Sequence, residues 1–157
     1  MKDKVIKMFS ERGVELTEVA ELVLELQKPY HPTLSLSECL ENVEAVLEKR
    51  EVQHAIITGI VLDTLAEHGL LPEPLQTWLV EDEPLYGIDE ILAMAIINVY
   101  GTIGFTNFGY LDKTKPGVLS RLNSHPDQVH TFMDDLVAGL AAAACARLAH
   151  NLKKIVP

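Results

Sequence analysis

The chain has 157 residues, of which 48% are hydrophobic, and a formal net charge of −10. This length suits a single domain with a sizeable core, and the apolar fraction argues against intrinsic disorder. The acidic balance argues against nucleic acid as a partner, because affinity for the phosphate backbone comes mainly from Lys and Arg. No Lys or Arg occurs between Arg50 and Lys113, whereas ten acidic residues do, so an anionic ligand needs a cation to approach this region.

The cysteines and the N-terminus bear on the cellular compartment. Cys39 and Cys145 show no metal or redox spacing, and both are predicted to be small buried residues of helices in a reducing environment. The charged N-terminus is not followed by an apolar run, so it does not have the pattern of a signal peptide. We predict a cytoplasmic location.

The first third of the chain has the pattern of amphipathic helices. A short helical segment over residues 3–12 is followed by a second helix from Thr17 to Gln27. The Ser35-Leu-Ser-Glu38 sequence is a capping box, and apolar residues at helical spacing then predict a third helix that ends near Arg50.

A fourth helix, from His54 to Glu67, has apolar residues almost all round and is expected to be deeply buried. His54 shares one face with Thr58, which makes it a candidate substrate-binding residue. The alternative is a hydrogen-bonded histidine of the core or of an interface. A short helix carrying Trp78 follows, after Pro72 and Pro74.

The most apolar stretch begins at Asp89-Glu90, after which residues 91–111 carry no charge. A helix that is apolar all round is either central in a protein or a membrane span. Asn98 and the polar and glycine residues after it disfavour a span. We therefore predict an all-α, multihelical bundle with one central apolar helix at about 88–100, and no transmembrane segment.

A glycine-rich stretch at 101–110 is predicted to be a loop. Its glycines either allow backbone N–H groups to approach a phosphate or allow tight helix packing. Pro116 disfavours helical geometry at Lys115, so Asp112 and Lys115 are expected on a turn. Asp127 is predicted to cap a final helix that reaches about His150.

Acidic residues cluster at three places around this apolar region. Asp89-Glu90 precede it, Asp112 follows it, and Asp134-Asp135 lie in the last helix. One or two oxygens from each pair together with Asp112 suit Mg²⁺, which prefers oxygen ligands, whereas zinc is disfavoured because no Cys/His cluster exists. The alternative is that these acids are helix caps and surface charges.

The order and spacing of these motifs resemble a known family. Asp89-Glu90, Asp112-x-x-Lys115-Pro116 and Asp134-Asp135-x-Val-Ala-Gly139 are similar to the phosphatidylglycerophosphatase A family. Gly87-Ile-Asp-Glu90 is closest to its small bacterial branch, the low-temperature-requirement C type. The resemblance covers roughly residues 54–150. We predict one domain over 1–157, with polar amphipathic helices in 1–50 and the family-like core in 51–157.

The resemblance implies an all-helical fold and Mg²⁺-dependent removal of a terminal phosphate from a glycerophospholipid. It implies that Lys115 contacts the phosphate, and the family's arginine after Lys-Pro corresponds, with a one-residue shift, to Arg121. Asp112, Lys115 and Asp135 are the candidate catalytic residues. A carboxylate either activates water or, in the case of Asp112, forms an aspartyl-phosphate. The acids implied at the metal site are Asp89, Glu90, Asp112, Asp134 and Asp135.

Two functions from different classes follow from these features. The first is a Mg²⁺-dependent phosphatase acting on a phosphomonoester such as phosphatidylglycerophosphate, with peripheral contact to a membrane as a weaker expectation. The second is a non-catalytic helical module that retains the cation site for oligomerisation or regulation. The abundance of apolar helix surface also predicts a homo-oligomer.

Overall fold

The computed structural model describes residues 1–125 and 127–152, and within these ranges the chain is all-α, as predicted. A 3-10 turn at Asn98–Tyr100 joins the sixth helix to the seventh. The helices α1 to α9 are Lys2–Glu11, Leu16–Gln27, Leu36–Leu47, Arg50–Glu67, Leu75–Val80, Ile88–Ile97, Ile103–Thr114, Val118–Asn123 and Met133–Leu152.

The central element is α9, and the prediction that residues 88–100 form the central helix is wrong. Side chains from Met133 to Ala146 are buried almost without exception, and α9 packs against α2, α3, α4, α6, α7 and α8. By contrast, Ile88 and Ile91 of α6 are 47% and 59% exposed. The reason is size, because the small side chains of α9 let helices approach from every side.

Close packing between α6 and α9 depends on Gly139. A Cβ atom at this position would lie 3.1 Å from the carbonyl oxygen of Ala93 and 3.2 Å from its Cβ. Both neighbouring atoms are held by the backbone of α6, so neither can move away by a change of rotamer. Gly139 therefore sets the distance between the helix that carries Asp89 and the helix that carries Asp134 and Asp135.

Two helix boundaries differ from the sequence-based expectation. The predicted loop at 101–110 is mostly helical, because Phe108 and Leu111 of α7 are buried in the core and Gly104 lies close to Ala142 of α9. Tertiary packing here outweighs the low helix propensity of glycine. The last helix begins at Met133, six residues after the predicted cap Asp127.

The capping box that was predicted at the start of α3 is present. The Glu38 backbone N–H donates to Ser35 Oγ at 3.3 Å, and the Ser35 N–H donates to Glu38 Oε2 at 2.9 Å. Buried residues of α1 to α3, including Phe9 and Val43, join the same core as α9. Within the described ranges, no helix is both long enough and apolar enough to cross a membrane.

We predict that Gly139→Leu destabilises the protein by roughly 1–3 kcal/mol or more, because the added side chain forces α6 away from α9. Gly109→Leu is the matched control, since Gly109 is an exposed position within α7 with no atom near its Cβ position. There leucine is a better helix former than glycine, so no loss is expected. Free energies of unfolding from denaturant titration measure both effects. Equal free energies of unfolding for the two variants would contradict this account of the packing.

Candidate active site: an acidic cavity around Lys115

The C-terminal end of α7 delivers a lysine into a group of carboxylates. Lys115 follows the last helical residue in a left-handed conformation, with φ 44° and ψ 53°. Pro116 disfavours the right-handed helical alternative, so the chain must turn here. The Lys115 Nζ atom lies 2.8 Å from Asp112 Oδ1, one turn back on α7. Asp112 is thus helical, and only Lys115 occupies the predicted turn.

The N-terminal end of α9 supplies the other carboxylates. Asp134 Oδ2 lies 2.7 Å and Asp135 Oδ1 lies 3.8 Å from Lys115 Nζ. Asp134 Oδ1 also accepts a hydrogen bond of 2.9 Å from the Asp135 backbone N–H. Lys115 therefore links α7 to α9 through side chains that are largely buried.

A buried aspartate of α4 fixes the position at which α9 begins. Asp63 is fully buried, and its carboxylate accepts hydrogen bonds from the backbone N–H groups of Phe132 at 3.0 Å and Met133 at 2.9 Å. These N–H groups lack partners within the helix, because they lie at its start. Asp63 thereby anchors the segment that carries Asp134 and Asp135.

Burial changes the protonation of these groups. Burial, together with the neighbouring charge of Asp134, raises the pKa of Asp135 to about 8. Burial also raises the pKa of Asp134, although Lys115 acts in the opposite direction. For Lys115, burial alone would lower the pKa, but Asp134 and Asp112 raise it above its ordinary value. The lysine is therefore a fixed positive charge at neutral pH.

These residues line one cavity of about 310 Å³, which we call the acidic cavity. Seven of its lining residues are acidic, and Lys115 is the basic one among them. Asp89 Oδ1 is buried and has no hydrogen-bond partner in the described part of the chain, and burial raises the Asp89 pKa. The lining residues are Asp82, Glu83, Pro84, Gly87, Asp89, Glu90, Asp112, Lys115, Asn123, Thr131, Asp134 and Asp135.

The backbone is unusual at two points on the wall of this cavity. Asp82, with φ 52°, and Lys115 are the two non-glycine residues with positive φ in the described ranges. Such conformations are uncommon outside glycine and persist where the surrounding structure holds them. Both side chains thus reach the acidic cavity from turns that the fold maintains.

The structure brings six of the predicted site residues together and leaves two elsewhere. Asp89, Glu90, Asp112, Lys115, Asp134 and Asp135 all line the acidic cavity. Arg121 does not line it, because its guanidinium pairs with Glu18 at 2.7 Å and donates to the Gly13 carbonyl oxygen at 2.7 Å. His54 does not line it either, since it is exposed near the start of α4.

Asp63 was not predicted as part of the site. The sequence does give one signal, since Asp63 is a lone acid in the middle of a largely apolar helix. A carboxyl group is buried at such a position only where hydrogen-bond or charged partners surround it. The sequence does not show what those partners are, because Phe132 and Met133 lie about seventy residues away. Asp82 and Thr131 of the cavity wall were also missed, and nothing in their local sequence marks them.

The donor chemistry of the acidic cavity fits a divalent cation that prefers oxygen ligands. Carboxylates from α6, α7 and α9 face one space, and the buried Asp89 Oδ1 lacks a partner. Within the described ranges, however, no three Asp, Glu, His or Cys side chains stand in an arrangement that would hold a metal ion. The ammonium of Lys115 instead lies among three of the carboxylates.

Fold and site together define a class of protein, an all-α bundle with a carboxylate-rich cavity and one lysine at the N-terminal end of its central helix. The model of the phosphatidylglycerophosphatase A family matches residues 5–150, and the chain belongs to this family. The predicted resemblance is confirmed, and the match also covers most of the N-terminal fifty residues.

Similar proteins match more than two thirds of the chain. The uncharacterised protein YpjQ of Bacillus subtilis is 57% identical over 151 residues, which cover 96% of this chain and 85% of YpjQ. The uncharacterised protein MJ1330 of Methanocaldococcus jannaschii is 30% identical over 113 residues, 69% of this chain and 84% of MJ1330.

Solved structures show the same fold. The low temperature requirement C protein of Listeria monocytogenes has a TM-score of 0.95 at 57% identity, and the match covers 97% of this chain and 96% of that protein. A crystal structure of YpjQ from Bacillus subtilis has a TM-score of 0.94 at 55% identity, with 98% and 96% covered. The likeness thus extends to the arrangement of the helices.

We predict that Asp63→Asn destabilises the protein by about 1–3 kcal/mol, because the amide nitrogen that replaces one carboxyl oxygen cannot accept a hydrogen bond from Phe132 or Met133. Asp3→Asn, an exposed change on α1, is the control. Burial raises the pKa of Asp63 to about 8, although the N–H groups of Phe132 and Met133 oppose this shift.

The raised pKa gives this prediction a pH dependence. Between about pH 4 and pH 8, the folded protein holds a proton on Asp63 that the unfolded chain has lost. The contribution of this proton to the free energy of unfolding is fully present below about pH 4 and is lost as the pH rises through about 8. The free energy of unfolding of the wild type should therefore exceed that of Asp63→Asn by a larger margin at pH 5 than at pH 8. A difference that grows with pH would show that Asp63 is ionised in the folded protein.

Proposed function

We propose that this protein is a Mg²⁺-dependent phosphatase that hydrolyses a phosphomonoester such as phosphatidylglycerophosphate. The observation that carries the proposal is the convergence of carboxylates from α6, α7 and α9 on one cavity around Lys115. Membership of the phosphatidylglycerophosphatase A family supports a phosphatase-type reaction.

The charge of the acidic cavity explains why a cation is needed. With seven acids and one lysine on its wall, the cavity repels a phosphate dianion. Asp89, Glu90, Asp112, Asp134 and Asp135 would hold Mg²⁺ through carboxylate oxygens. When bound, the ion supplies charge that polarises the phosphoryl oxygens and offsets the repulsion.

The residues of the chain have separate roles in this reaction. Lys115 contacts a phosphoryl oxygen as a point charge. Asp135, which lines the acidic cavity beside Lys115, accepts a proton from the attacking water. The water oxygen forms a bond to phosphorus, the bond to the ester oxygen breaks, and the proton passes to the departing alkoxide. The products are inorganic phosphate and an alcohol. An aspartyl-phosphate formed by Asp112 is the alternative route.

Lys115 has a second role in the metal-free protein. Its ammonium lies within 2.8 Å of Asp112 and Asp134, so it neutralises part of the charge that a bound cation would neutralise. A cation held by these carboxylates would take the place of the ammonium beside them. Lys115 would then be available to contact the phosphate.

We predict that Asp112→Asn lowers the kcat for Mg²⁺-stimulated phosphate release by at least about a hundredfold without unfolding the protein. The side chain of Asp112 is 36% exposed, so its loss leaves the core intact. Asp3→Asn is the control, with the same chemical change far from the cavity. Phosphate release from phosphatidylglycerophosphate, with Mg²⁺ and with chelator, is the measurement. Full activity of Asp112→Asn would refute the site assignment.

We predict that Lys115→Met binds Mg²⁺ about tenfold more tightly than the wild type while losing phosphatase activity. Removal of the ammonium leaves Asp112 and Asp134 free for the cation but removes the phosphate contact. Lys113→Met is the matched control, because Lys113 is exposed two residues away. Calorimetric titration with Mg²⁺ measures the affinity. Unchanged or weaker binding by Lys115→Met would show that the ammonium does not compete with the cation.

The alternative, a non-catalytic module that uses the cation site for oligomerisation or regulation, is favoured by a separate observation. Leu85, Ile88 and Ile91 are 92%, 47% and 59% exposed beside the acidic cavity, and such apolar surface suits association. This function predicts that the wild type releases no phosphate under any metal condition. The homo-oligomer, the cytoplasmic location and the peripheral membrane contact stay predictions.

A further inference from the structure

A second cavity adjoins the acidic cavity. Its volume is about 200 Å³, and it lies between α5, α8 and the segment that leads into α9. Asp82, Asn123, Thr131 and Asp134 line both cavities. The two spaces are therefore neighbours that share one wall.

The walls of the second cavity differ in chemistry from those of the first. Its charged lining residues in the described ranges, Asp82 and Asp134, are the two that it shares with the acidic cavity. The remaining polar groups are amide, hydroxyl and imidazole side chains. A volume of about 200 Å³ is below the roughly 300–1,000 Å³ of pockets for drug-sized ligands. The second cavity therefore suits a small, uncharged, hydroxylated group better than a long acyl chain.

His130 supplies a hydrogen-bond donor on this wall. It is 8% exposed, and its Nδ1 lies 3.4 Å from Nη2 of Arg12. Arginine nitrogens only donate, so Nδ1 must accept, and the hydrogen of the neutral ring is on Nε2. Burial and the charge of Arg12 lower the pKa of His130 to about 4, which keeps the ring neutral.

This donor has no acceptor in the described part of the chain. His130 Nε2 is buried without a hydrogen-bond partner, and an unsatisfied buried N–H costs about 1–3 kcal/mol. The Arg12 guanidinium beside Nδ1 is itself paired with Glu67 Oε2 at 2.7 Å. A ligand oxygen that reached Nε2 from the second cavity would satisfy this donor.

We propose that the second cavity is a subsite for the alcohol part of the phosphate ester, and that it binds a small polyol such as a glyceryl group through a hydrogen bond from His130. We call it the alcohol subsite, formed by Asn123, His125, Gln128, His130 and Thr131. This inference rests on the proposed phosphatase function, because the phosphate must lie in the acidic cavity. His130 is then a specificity-determining residue, and acyl chains attached to the alcohol lie outside the subsite.

Two esters of the same chain length test the subsite. The probes are glycerol 3-phosphate, which has two free hydroxyls, and propyl phosphate, which has none. The wild type, assayed with Mg²⁺, should have a higher kcat/KM for glycerol 3-phosphate. His130→Leu should lower that value by about tenfold while changing kcat/KM for propyl phosphate little, because only the first ester uses the hydrogen bond. His130→Gln, which keeps an N–H donor, should retain most of the preference.

The controls separate this inference from the proposed function. His31→Leu, in the loop before α3, makes the same substitution far from both cavities and should leave the ratio of the two kcat/KM values unchanged. Equal losses for both esters in His130→Leu would mean a structural role and would overturn the subsite alone. If the wild type hydrolyses neither ester and no phospholipid phosphate, the phosphatase function fails and the subsite fails with it.

A second variant covers the case in which His130→Leu does not fold. Asn123 is exposed on the shared wall, so Asn123→Ala leaves Arg12 and His130 in place. Its amide is a hydrogen-bonding group on the wall that the subsite shares with the acidic cavity, where a hydroxyl next to the phosphate would lie. The preference for glycerol 3-phosphate should fall in this variant, and an unchanged ratio would overturn the subsite.

Discussion

The ion cluster around Lys115 is the interaction on which the site depends. Taking carboxylates out of water costs several kcal/mol for each ion unless opposite charge and hydrogen bonds offset the cost. Asp134 and Asp135 are buried, and Lys115 is the cation that lies between them and Asp112. Burial, together with negative charge that one ammonium cannot balance, raises the pKa of Asp135. This excess of negative charge is the physical basis of the cation site that we propose.

The core determines where this cluster forms. The small residues of α9 allow α4, α6 and α7 to pack closely around it, so acids at the ends of different helices meet at one place. Asp63 then fixes the first turn of α9 through the N–H groups of Phe132 and Met133. Packing sets the distances between the helices, and Asp63 sets the position of Asp134 along its own helix. Neither contribution alone would place the carboxylates around Lys115.

Much of the site could be predicted from the sequence because its acids are unusual locally. Asp89, Asp112 and Asp134 border an apolar stretch, and their spacing matches a known family. The central helix could not be predicted, because burial of α9 comes from small residues that have weak hydrophobic signals individually, whereas the larger side chains of α6 gave the stronger signal. Arg121 was placed by the family resemblance and His54 by local pattern, and only the folded chain shows that Arg121 pairs with Glu18.

The shared wall between the two cavities gives a physical basis for selectivity. Asp134 faces charged groups on one side and lines a compartment with neutral polar walls on the other. A phosphate and the alcohol attached to it differ in the same way, since one is an anion and the other is an uncharged hydrogen-bonding group. A ligand that reversed this arrangement would leave His130 Nε2 unpaired and would place its anion beside Asp82 and Asp134 without the lysine. In the reaction that we propose, the polarity of the two cavities would therefore orient the ester and so the bond to be broken.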